Sequence, residues 1–75
     1  MELDGKLIKK HGHDYLMEKL DLPVYYGMNL DALFDCLCEM NGEITIINSK
    51  EIDKDTLDTF TDASLENDFL TVTIR

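Results

Sequence analysis

Tyr25-Tyr26-Gly27-Met28-Asn29-Leu30-Asp31-Ala32-Leu33-Phe34-Asp35-Cys36-Leu37 joins two aromatics, a Gly/Asn helix start and a run with helical periodicity. An α-helix turns ~100° per residue, so side chains three or four apart share a face. Leu30, Leu33, Phe34 and Leu37 then form a core-facing stripe, with Asp31, Asp35 and Glu39 as an acidic stripe beside it. Asn29 is placed as the N-cap, its side-chain oxygen accepting from a free backbone N–H. Asp31 falls in the first turn, where the helix dipole favours a carboxylate. No Lys or Arg occurs between Leu20 and Ser49 to neutralise these acids. Like charges four apart destabilise a helix by roughly 0.2–0.5 kcal/mol per pair. A face that served solubility alone would intersperse lysines. Three acids in register without a cation describe a surface that meets something positive.

Working outward, Met1 to Asp4 reads as a short strand and Asp4-Gly5 as a turn. Asp14 to Leu20 reads as a helix with Tyr15, Leu16 and Leu20 facing the core, and Asp21 to Gly27, with the sole proline, as a loop. Gly42 ends the central helix near Met40. Ile44-Thr45-Ile46-Ile47 is β-branched and mostly apolar, the pattern of a strand buried on both faces. Asp53 or Asp55 caps a third helix running to about Glu66, with Leu57, Phe60, Ala63 and Ser64 inward and Asp58, Asp62 and Glu66 outward. Leu70-Thr71-Val72-Thr73-Ile74 alternates and reads as a closing strand. Strands separated by helices favour a parallel sheet. The expectation is a two-layer α/β fold, a three-stranded parallel sheet against about three helices, in a single domain spanning 1–75.

The chain has 75 residues and a formal net charge of -9. Such a field repels nucleic acid and anionic membrane and speeds encounter with basic proteins. No run approaches the ~20 apolar residues that span a bilayer, and the N-terminus lacks a signal pattern, so the expected location is cytoplasmic. Cys36 and Cys38 diverge by ~200° on one helix and cannot readily close a disulfide. Cys36 falls near the core stripe and Cys38 at the edge of the acidic one. A Cys-x-Cys pair without a second ligand pair is a poor zinc signal, and His11-Gly12-His13 is a weak metal motif, so neither metal nor cofactor is expected. The chain lacks a glycine-rich phosphate loop and a supported Ser/His/Asp set. Asp31 and Asp35 resemble a catalytic pair only in spacing. The residues point to a binding protein, not an enzyme.

The Tyr25–Leu37 stretch strongly resembles the barstar family of intracellular inhibitors of barnase-type ribonucleases, whose signature reads Tyr-Tyr-Gly-x-Asn-Leu-Asp-Ala-Leu-aromatic-Asp-Cys-Leu. Leu3 to Ile8, Leu20 to Pro23 and Leu70 to Ile74 extend the resemblance more weakly. It implies a barstar-like fold and a one-to-one complex with a small basic ribonuclease, the free protein being a monomer. In that family the central helix and its preceding loop enter the ribonuclease active site, where their carboxylates take the places of substrate phosphates. Carried over, Asp35 is the principal anchor and Asp31 the second, with Tyr25, Asn29 and Phe34 packed around them. Asp62 and Glu66 align with the acidic contribution of the family's last helix. Met28 stands where barstar has an acid, and Phe34 where it has tryptophan. The Gly-Trp pair that follows barstar's helix has no counterpart in Glu39-Met40-Asn41-Gly42, and Ile52 to Asp55 is too short for a further helix found there. The rival expectation is an acidic interaction module on the same fold, a nucleic-acid mimic or adaptor whose basic partner is not a ribonuclease.

Overall fold

A computed structural model describes residues 1–75. Its elements in chain order are β1 (Glu2–Asp4), α1 (Gly5–His11), α2 (His13–Lys19), α3 (Leu30–Cys38), β2 (Gly42–Ile47), a 3-10 turn (Ser49–Glu51), α4 (Lys54–Glu66) and β3 (Leu70–Ile74). The three strands form one parallel sheet in the order β1-β2-β3, with Leu3 opposite Ile46 and Ile44 opposite Val72. The expected α/β class and parallel three-stranded sheet are present, with four helices in place of about three.

The extra helix begins where a turn was expected. Asp4 caps α1, its carboxylate accepting the Lys6 N–H at 2.9 Å, and Gly5 is the first helical residue. A Cβ on Gly5 would stand 2.1 Å from the Asn48 carbonyl oxygen, so only glycine fits this approach of α1 to the end of β2. Gly12, at φ +59°, breaks the run into α1 and α2. The second helix therefore starts one residue earlier than the composition implied and ends at Lys19.

A second correction concerns β2. Ile44 and Ile46 are buried while Thr45 and Ile47 are half-buried, an alternation that shows helices over one face only. A strand buried on both faces would need a third layer that 75 residues do not supply. Gly42, at φ +119°, opens this strand and does not cap α3, whose last helical residue is Cys38. The Glu39 and Met40 N–H groups tighten that end onto the Cys36 and Leu37 carbonyls.

One cluster of 14 buried apolar residues draws on every strand and all four α-helices. Leu3, Leu33, Leu37, Ile46 and Phe60 are fully enclosed. Each such side chain stabilises the fold by about 1.5–3 kcal/mol relative to exposure. Leu30 and Phe34 complete the predicted stripe of α3 but are only partly covered. Asp53, one of the two candidate caps, is the N-cap of α4, bonded to the Thr56 N–H and hydroxyl. No helix is long and apolar enough to cross a membrane.

Candidate protein-binding site

The site is built on α3, whose start is held by a polar relay. Asn29 caps the helix by accepting the Ala32 N–H at 2.8 Å and donates to the Gly27 carbonyl at 3.0 Å. One donor and one acceptor site of its amide are thereby engaged, so Asn29 shapes the loop and keeps its second N–H exposed. Tyr26, 6% exposed, lies against His13, with its hydroxyl 2.6 Å from His13 Nδ1 and 3.4 Å from the Asn29 carbonyl. Burial, and secondarily the neighbouring Cys36, push the Tyr26 phenol up to about 12. The relay from α2 through Tyr26 to the cap of α3 was not legible in the chain, because His13 and Tyr26 belong to different elements.

The neighbouring Tyr25 points out, 85% exposed. An open groove of about 580 Å³ runs between its loop and α3, lined by Asp21, Pro23, Tyr25, Asp35, Glu39 and Met40 among others. Two residues of the acidic stripe thus face an aromatic and an apolar floor. Asp31 is also exposed but lies one turn earlier and outside the groove. Phe34 packs partly against the core and so backs the acidic stripe from within.

Helices α3 and α4 pack against each other. The Cys38 thiol is pushed up by burial first, then by the charges of Glu66, Asp35 and Glu39. Asp62 is exposed too, but its charge acts on Lys54, which also has Asp58 and Asp55 beside it. Asp58 leaves the acidic ladder altogether, since it forms an ion pair with Lys54 at 2.7 Å. Asp58, Asp62 and Glu66 all lie off the core on α4, and of the three only Asp58 is paired with a cation.

The relative placement of these helices depends on Asn67. Buried at 8% exposure, it donates to the Leu37 carbonyl at 3.1 Å and to the Met40 carbonyl at 2.7 Å, and accepts the Phe69 N–H at 3.0 Å. It ties the end of α4 to the open end of α3, adding a second donor to the Leu37 carbonyl, which the Met40 N–H also meets, and supplying one to the Met40 carbonyl. An asparagine after a helix was visible in the chain. Its reach across to another helix was not.

A family profile described as "Barstar (barnase inhibitor)" matches residues 1–68. The chain belongs to the barstar family. A shorter match is to a protein of Bacillus subtilis (strain 168) named "Putative ribonuclease inhibitor YrdF", 72% identical over 25 residues. That match covers 33% of this chain and 28% of the relative's length. Within a barstar fold, the groove joins Asp35 and Glu39 of the acidic stripe to an exposed aromatic, Tyr25. Such a surface can neutralise cations and exclude water from them. It holds no group of three or more Cys, His, Asp or Glu side chains with metal-binding geometry.

Proposed function

We propose that this barstar-family chain is a cytoplasmic, monomeric, single-domain inhibitor of a small basic ribonuclease of the barnase type. It binds one to one, with α3 and the Pro23–Met28 loop seated in the enzyme's cleft. The observation that carries this reading is the groove shared by Asp35, Glu39 and Tyr25 with no cation paired to either acid, the chain's one ion pair lying elsewhere at Lys54–Asp58. Asp35 and Asp31 take the places of substrate phosphates against the enzyme's cationic side chains. Tyr25 and Phe34 pack around Asp35, and Asn29 holds the loop that presents Tyr25. Asp62 and Glu66 add charge from α4. Inhibition is occlusion combined with charge mimicry, so opposed fields raise the on-rate and desolvated pairs slow release.

The test titrates barnase-type ribonucleases with the purified protein while cleavage of a dinucleotide is followed. The expected result is stoichiometric loss of activity, with association slowing as salt rises and dissociation changing less. Full activity at micromolar inhibitor across this enzyme class rejects the reading. A tight complex with a basic protein that is no nuclease would favour the adaptor alternative.

A further inference from the structure

On this strongly acidic chain, the stretch from Leu22 to Leu30 carries no charged residue. Three of its apolar side chains face solvent, with Val24 93%, Tyr25 85% and Met28 42% exposed. Isolated exposed apolar residues are ordinary, but a cluster on a rigid loop marks a contact surface. This loop is pinned from inside. The Tyr26 N–H bonds the Pro23 carbonyl at 2.9 Å, its ring is buried, and Asn29 holds Gly27.

Met28 has a second oddity. Its φ is +54°, in the left-handed region that glycine visits freely and a long side chain rarely does. A methionine there adds nothing to the core cluster and strains its own backbone. Val24 likewise contributes no core contact. Folding explains neither residue. Strain held beside a binding face is the pattern of a residue retained for what it touches.

We infer that Val24, Tyr25 and Met28 form an apolar shoulder that docks on an uncharged, apolar wall at the rim of the cationic cleft that receives this loop in the partner ribonuclease, and so selects among ribonucleases of similar charge. The inference rests on the function proposed above and names the chemistry of its specificity. Continuity supports it, because Tyr25 lines the same groove as Asp35 and Glu39. Charge decides the occupant. A second copy would bring its own acidic stripe against Asp31 and Asp35, and an anionic lipid surface is repelled by the field of the whole chain. A cationic protein that carries an apolar rim satisfies both parts of the surface at once.

The experiment compares wild type, Val24→Glu/Met28→Glu and a control with the same added charge on the open sheet face, Thr71→Glu/Thr73→Glu. Each is measured for affinity and rates against a ribonuclease that the wild type inhibits. If the loop reads only charge, both variants bind at least as tightly as wild type. If it is an apolar shoulder, Val24→Glu/Met28→Glu binds at least about tenfold more weakly through faster dissociation, while the control does not. Val24→Ala/Met28→Ala, which leaves charge unchanged, should show the same direction and lose most at high salt, where apolar contact dominates. Thermal unfolding of the free variants separates binding from folding. Equal or tighter binding by both loop variants overturns the shoulder and leaves the inhibitor reading standing. A wild type that inhibits no ribonuclease removes both. A wild-type dimer that Val24→Glu/Met28→Glu dissociates would assign the patch to a second copy and overturn it as well.

Discussion

Asp35 and Glu39 stand one helical turn apart on the same groove wall, yet they should differ in binding. Asp35 follows Phe34 and faces the Tyr25 loop, where a partner cation would be desolvated. Glu39 is the C-cap residue, one turn further from the start of α3 at its open end. Truncating a desolvated charged anchor leaves the partner's cations unpaired and costs roughly 2–5 kcal/mol or more. A rim charge costs under about 1 kcal/mol. Asp35→Ala should therefore weaken binding far more than Glu39→Ala. Both are exposed, so neither should lower the melting temperature, and removing Asp35 from a like-charged ladder relieves repulsion. Paired calorimetry and thermal unfolding check this. Equal binding losses, or a collapse of stability in Asp35→Ala, would make Asp35 a structural residue. At this scale the chain was legible wherever a residue acts on near neighbours. Asn29 capping α3 is such a case, because the cap bond spans three residues. The His13–Tyr26 bond is not, because it spans thirteen and crosses from one element to another.

Between elements, the end of α3 and the end of α4 are held together by the buried amide of Asn67. All three of its hydrogen-bonding functions used here are directed at backbone. Asn67→Ala removes the donor to the Met40 carbonyl and the acceptor of the Phe69 N–H, while Leu37 keeps the Met40 N–H, a loss of about 1–3 kcal/mol. The expected outcome is a clear fall in melting temperature. A smaller loss of ribonuclease affinity should accompany it, since the end of α4 that carries Glu66 is no longer fixed to the end of α3. An unchanged melting temperature would show that water replaces the amide and that Asn67 does not set the helix pair. The misread elements have equally physical causes. Gly5 looked like a turn residue, but the contact that demands glycine comes from Asn48, far along the chain. Gly42 looked like a helix terminator, yet its positive φ serves the start of β2.

For the molecule as a whole, acid should act through two caps. The Asn48 amide first, and the Lys6 N–H second, hold the Asp4 carboxyl below its ordinary value of 3.8. Asp53 is lowered mainly by the Thr56 hydroxyl. A depressed folded value means the folded state favours the charged form. The stabilisation is thus fully present above the unfolded carboxylate range and lost as pH falls from there through the depressed folded values. The repulsion of a net charge of -9 is relieved over the same range and works in the opposite sense. Asp53→Asn separates the two, because asparagine caps well and does not titrate. Melting temperatures from about pH 7 to pH 3 should fall less steeply at the acid end for Asp53→Asn than for wild type. Superimposable curves would remove the cap from the account. By itself the sequence determined the capped central helix, its paired apolar and acidic stripes, the strands of β2 and β3 and the acidic field. Those features arise from spacing, capping and alternation within a few residues. Only the tertiary structure decided that Tyr25 lines one groove with Asp35 and Glu39, that Asn67 fastens α3 to α4, and that α1 starts against Asn48. These depend on which distant segments bury their apolar faces together, and no local periodicity encodes that choice.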